Sequence, residues 1–113
     1  MPKLTVLTCV YNCEQFISKC IESVLNQDFT DFEFIIIDDG STDATLSIIN
    51  QYAANDSRIK VVEKTINEGL AIARNEALAL AKGKYITFLD GDDLYDLNMI
   101  QKAYKIAEKE KSD

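Results

Sequence analysis

Two short acidic runs stand out in this chain of 113 residues: Asp38-Asp39-Gly40-Ser41-Thr42-Asp43 and Asp90-Gly91-Asp92-Asp93. Two unit negative charges about 4 Å apart repel by roughly 4 kcal/mol at an effective dielectric near 20, so acids this dense need a reason to be together. A divalent cation supplies one for Asp90-x-Asp92. Hard oxygen ligands without histidine, which the chain lacks entirely, suit Mg²⁺ or Mn²⁺. Such ions keep several waters and take one or two carboxylates plus phosphate oxygens from a substrate. The plainer alternative is a turn in which Gly91 supplies backbone freedom and Asp93 or Asp96 opens a helix. That alternative is weakened because the motif ends a continuous apolar run, Tyr85-Ile86-Thr87-Phe88-Leu89.

The first acidic run has the same two readings. One of Asp38 and Asp39 shapes a turn while the other faces a ligand. A carboxylate acceptor matches the imide N–H of uracil, whereas Ser41 or Thr42 would satisfy helix amides. Tyr11 either stacks on a base or packs at a strand end. Arg74, behind the small residues Ala71 and Ala73, is either a phosphate partner or a solvated cation.

These residues need a frame that brings them together. Residues 4–10 and 32–37 are apolar enough for strands covered on both faces, and 58–62 and 84–89 resemble two more. Between them lie helical patterns. The clearest places Phe16, Ile17, Cys20, Ile21, Val24 and Leu25 on one face, and others span 45–54, 70–82 and 97–109. Asn12 with Gln15 resembles a capping box, and Gly83 follows the third helix where a left-handed cap is wanted. Strands alternating with helices predict an α/β, doubly wound, mostly parallel sheet of order 3-2-1-4 with helices on both faces. Ligands of such sheets bind beyond the carboxyl ends of the strands. There the sequence sets Cys9-Val10-Tyr11-Asn12, Asp38-Asp39 and Asp90-Gly91-Asp92-Asp93.

Composition excludes several classes. A formal charge of −7 argues against a basic face for nucleic acid or anionic lipid. Cys9, Cys13 and Cys20 are odd in number and lack CxxC spacing, which predicts buried free thiols in a reducing cytoplasm rather than disulfides or a zinc site. No apolar run approaches the roughly 18 residues of a membrane span. Neither GxGxxG nor GxxxxGK[ST] is present, so no dinucleotide fold or P-loop is indicated. One domain over 1–113 is expected.

Tyr11-Asn12, Ser23-Val24-Leu25-Asn26-Gln27, Asp38-Asp39-Gly40-Ser41-Thr42-Asp43, Asn67-x-Gly69, Ala73-Arg74-Asn75, Lys82-Gly83-x-Tyr85-Ile86 and Leu89-Asp90-Gly91-Asp92-Asp93 together resemble family 2 inverting glycosyltransferases of the GT-A fold. The resemblance covers the nucleotide-sugar-binding, amino-terminal half of that catalytic domain. It implies that Cys9 and Tyr11 border the base and that Asp39 takes the imide of a UDP-sugar. It further implies that Asp90 approaches the ribose or donor sugar, and that Asp92 with Asp90 holds the Mn²⁺ or Mg²⁺ bridging the phosphates. Asp93 would support the metal, and Asn67 and Arg74 would line the nucleotide. The catalytic base of the family lies beyond Asp113, so turnover by this portion alone is not expected.

The partners implied are a nucleotide-sugar donor and a glycan or lipid-linked acceptor, in bacterial surface polysaccharide synthesis. The location implied is the cytoplasm, or the inner face of the membrane for a longer protein. An exposed sheet edge beside the DxD strand predicts a homo-oligomer. The competing class is a receiver-like, Mg²⁺-binding signalling module, which would need its acidic pair after the first strand, where Tyr11-Asn12 stands. A nucleotidyltransferase would need a Gly-rich basic loop at the same place, and none is present.

Overall fold

The computed structural model describes residues 2–66, 68–90, 105, 106, 108 and 109. The element order is β1 (Leu4–Val10), α1 (Ile17–Leu25), β2 (Phe32–Asp39), α2 (Thr45–Asn55), β3 (Ile59–Lys64), α3 (Leu70–Leu80) and β4 (Tyr85–Asp90). Of the helix expected over 97–109, residues 105, 106, 108 and 109 are described, and they are helical. Asn67, Asp92 and Asp93 lie outside the described residues.

The four strands form one parallel sheet of order β3-β2-β1-β4, as the alternating pattern predicts. β2 is buried at every position, which explains its unbroken apolar run: a central strand with helices on both faces has no wet side. On one face Ile17, Ile21 and Val24 of α1 and Ile49 of α2 pack on Leu4, Val6, Val10, Phe34 and Ile36. On the other, α3 presents Ala73 and Ala77 to Leu7, Ile35 and Ile37. Two alanines one turn apart let this helix lie close against the sheet.

Three local expectations are corrected. Asn12 and Gln15 do not form a capping box. Helix α1 starts later, at Ile17, with no side-chain cap, and the preceding turn is closed by the Phe16 and Ile17 amides donating to the Cys13 carbonyl. Gly83 is not a left-handed cap, since α3 ends at Leu80 and positive φ among glycines is confined to Gly40 and Gly69 among the described residues. Gly83 is needed for close approach instead: a Cβ there would collide with the backbone of Leu4 and Thr5. Finally, β2 and β3 run two residues further than expected. The backbone of Asp38 and Asp39 belongs to the strand, paired with Glu63 and Lys64, and the turn begins after them at Gly40.

The amino edge of the sheet is fastened by a buried carboxylate. Glu33, 4% exposed, accepts from the Thr5 hydroxyl (2.6 Å), the Lys60 ammonium (2.7 Å) and the Gly83 N–H (3.1 Å), and also from the Lys82 N–H. Burial alone would raise its pKa, but the bonds from Lys60, Thr5 and Lys82 outweigh it and hold the carboxyl below its ordinary value.

Candidate donor-binding site

The candidate residues meet at the opposite, carboxyl edge. In the strand register Cys9 stands between Ile37 of β2 and Asp90 of β4, so Asp90 adjoins β1 with Asp39 two residues further along β2 than Ile37. Three strand ends therefore deliver Cys9, Asp39 and the start of the Asp90-Gly91-Asp92 motif to one rim. Asp90 is placed by its backbone.

Asp38 and Asp39 divide the work in a way the sequence left open. Asp38 Oδ2 accepts the Ser41 N–H (3.1 Å) and shapes the turn, while its Oδ1 is buried with no partner among the described residues. Asp39 accepts the Glu68 N–H at Oδ1 (3.2 Å) and the Gly69 N–H at Oδ2 (3.0 Å). Gly69 reaches that position at φ 98, a conformation costly to any residue with a Cβ. Lys64, the register partner of Asp39, pairs with Glu68 and with Glu76 of α3 (2.6 Å), which fixes the helix opening over the rim. The Asp39 carboxylate thus ties β2 to the start of α3, and each oxygen keeps a lone pair.

Around it, Arg74 projects from α3 with its guanidinium carbon 4.8 Å from the centre of the exposed Phe88 ring. Burial pushes the Cys9 thiol up; nearby Arg74 opposes this and Asp39 adds to it, so the thiol stays protonated at neutral pH and borders the site as a neutral group. Tyr11 is 42% exposed at the end of β1, so its ring is not core packing and is open to stacking. No group of three His, Cys, Asp or Glu side chains comes together to hold a metal among the described residues. The two carboxylates expected to bind one are Asp92, outside them, and Asp90 at the rim.

Ser41 and Thr42 do not satisfy the amides of α2, as expected of them. Asp43 Oδ1 accepts from the Thr45 N–H (2.9 Å) and Glu14 Oε2 from the Ala44 N–H (3.0 Å), whereas Ser41 and Thr42 reach across to Asn12. The hydrogen bonds from Thr45 hold the Asp43 carboxyl below its ordinary value. This clasp between the β1–α1 and β2–α2 loops was missed from sequence, because a polar side chain thirty residues from its partner carries no local signal. A cleft of about 300 Å³ lies beside it, lined by Asn12, Cys13, Glu14, Gln15, Phe16 and Asp43, none of them a predicted metal ligand.

A four-stranded parallel sheet of this order, with helices on both faces, is the GT-A nucleotide-sugar fold. The chain belongs to glycosyl transferase family 2, whose family model it matches over residues 5–113. It is 40% identical over 114 residues to a poly(ribitol-phosphate) beta-glucosyltransferase of Bacillus spizizenii, covering 98% of this chain and 18% of that protein. The S. aureus TarS 1-349 structure in complex with UDP-GlcNAc superposes with a TM-score of 0.86 at 33% identity, over 95% of this chain and 31% of that one. A mannosyltransferase from Pyrobaculum calidifontis, in complex with GDP-Man and Mn²⁺, gives 0.78 at 31% identity, over 83% and 28%. The chain spans less than half the length of the curated relatives it matches. Family membership removes the receiver-like alternative. No helix among the described residues is long and apolar enough to cross a membrane.

Proposed function

We propose that residues 1–113 form the donor-binding half of an inverting, metal-dependent glycosyltransferase that uses a UDP-sugar in bacterial surface polysaccharide synthesis. The observation that carries this reading is the register that sets Cys9 between Ile37 and Asp90, with Asp39 on the same rim. The UDP-GlcNAc complex of S. aureus TarS supports the choice of donor, and the Mn²⁺ in the mannosyltransferase complex supports the cation.

In this reading Tyr11 stacks on the uracil, Cys9 lines its edge, and Asp39 accepts the imide N–H with a lone pair not used by the Glu68 and Gly69 amides. Asn67 and Arg74 attend the nucleotide, Arg74 as a cation toward phosphate oxygens. Asp90 would approach the ribose or sugar, and Asp92 with Asp90 would hold Mn²⁺ or Mg²⁺. A bound cation of this kind neutralises the departing diphosphate. An acceptor hydroxyl, of a glycan or lipid-linked glycan, then displaces the diphosphate from the opposite face of the anomeric carbon, which inverts it. No residue of this chain is assigned as the base that takes the hydroxyl proton. A cytoplasmic site of action, facing the nucleotide-sugar pool, belongs to the same proposal.

Calorimetric titration with UDP, with Mn²⁺ and then with a chelator, tests it. Binding that weakens at least about tenfold on chelation, and that loses this metal effect in Asp92→Ala, supports the assignment. Binding indifferent to both overturns the metal role, and no binding overturns the donor site.

A further inference from the structure

We propose that Asn12 is a positioning residue for the base side of the donor site, an inference that rests on the donor reading above. Asn12 is the one non-glycine residue with positive φ among the described residues, at φ 48. Asparagine tolerates this left-handed conformation better than most residues. From it Asn12 bonds to the β2–α2 loop through both its backbone and its side chain. Its backbone N–H donates to Ser41 Oγ (2.9 Å), its Oδ1 accepts the Thr42 N–H (2.8 Å), and its Nδ2 donates to Thr42 Oγ1 (3.3 Å).

The location gives these bonds their meaning. Asn12 directly follows Tyr11, and Ser41 lies two residues beyond Asp39, with Gly40 at φ 78 turning the chain between them. The two residues assigned to the base, one stacking and one accepting its imide proton, are thus held at a set spacing through Asn12. These bonds are exposed, so water replaces them readily when they are lost, and their main effect is on geometry rather than on global stability. The loops keep other ties, from the Cys13 N–H to Thr45 Oγ1 (2.9 Å) and from the Ala44 N–H to Glu14 Oε2 (3.0 Å), so variants at Asn12 retain the fold. Among the described residues, no bond of the clasp reaches β4, whose last residue is Asp90. Asn12 therefore governs the base and leaves the diphosphate and cation alone.

Three variants separate backbone conformation from bonding. Asn12→Gly accepts the same φ without strain and keeps the backbone N–H toward Ser41 but has no side-chain amide, Asn12→Ala loses both the side-chain amide and the tolerance of that φ, and Asn12→Asp keeps an acceptor for the Thr42 N–H. Each is titrated with UDP and Mn²⁺, and separately with inorganic diphosphate and Mn²⁺, well below its melting temperature. The expected result is a UDP Kd raised about tenfold in Asn12→Gly and Asn12→Ala, because the competent arrangement is less populated. Asn12→Asp stays within about twofold of the wild type, and diphosphate affinity is unchanged in all three. Wild-type-like UDP binding by Asn12→Gly, or equal losses for UDP and diphosphate, overturns the positioning role while the donor site stands. A wild-type chain that binds no UDP overturns the donor reading, and the proposal with it.

Discussion

Replacing Glu33 by glutamine tests how the sheet is held at the edge away from the site. The side chain is 4% exposed and accepts from Thr5, Lys60, Lys82 and Gly83, so one carboxylate joins β1, β2, β3 and the turn before β4. Glutamine keeps one oxygen for Thr5, Lys82 and Gly83 and turns its NH₂ toward the Lys60 ammonium. The Lys60 bond is lost and the remaining bonds lose their charge. Hydrogen bonds to charged groups contribute about 1.5–3 kcal/mol each. Lys60 is 47% exposed and can swing into water, so its share is discounted for solvent screening. We expect a loss of about 2 kcal/mol at pH 7, or roughly 8 °C in melting temperature for a domain of this size. The sign with pH follows from a folded-state pKa held below the ordinary value. Stability from Glu33 is fully present above the unfolded-state pKa of about 4.3 and is lost as pH falls through the lower folded value. Thermal melts followed by circular dichroism from pH 7 to 3 should show a gap between wild type and Glu33→Gln that is constant near neutrality and closes in acid. A gap under about 1 °C at pH 7, or one that persists unchanged at pH 3, refutes the reasoning.

At the same edge, Gly83→Ala forces a methyl into the Leu4–Thr5 backbone and should cost about 1–3 kcal/mol in urea unfolding; a neutral result would mean that the loop and β1 are further apart than described. Lys64→Met removes the ion pairs to Glu68 and Glu76, so amide exchange at Glu68 and Gly69 should quicken about fivefold or more relative to the β2 core, and unchanged exchange would show that Asp39 alone holds them. Ile86 and Phe88 are 39% and 42% exposed on β4, whose one strand partner among the described residues is β1. Sedimentation should therefore detect association that grows with concentration and weakens in Phe88→Lys, whereas a monomer throughout would count against an open edge.

The frame was legible because its signals are periodic. Continuous apolar runs at β1 and β2 and the buried stripe Ile17, Cys20, Ile21 and Val24 can be read without tertiary information, and alternation of strand with helix sets the sheet order. The rim followed, since parallel strands put their carboxyl ends on one side. The partners of polar side chains were less legible. Asn12 and Gln15 have the spacing of a capping box, yet Asn12 bonds to Thr42, because the fold brings that loop within reach and leaves α1 to begin later. Asp38 and Asp39 look like turn residues but extend β2, since Ser41 and the Glu68–Gly69 amides satisfy them there. Gly83 stands where a helix cap is wanted in sequence, yet its role is to make room for β1.

Paramagnetic broadening by Mn²⁺ tests the donor site most directly. A strand of seven residues separates the two sheet edges by about 20 Å, enough to distinguish them by this effect. In a ¹⁵N-labelled chain with UDP, replacing Mg²⁺ by Mn²⁺ should bleach the amides of Tyr11, Gly69 and Asp90 and spare those of Lys3, Glu33 and Lys82. Broadening centred on Glu33, or none at any UDP concentration, would contradict a donor and cation held at the carboxyl ends of β1, β2 and β4.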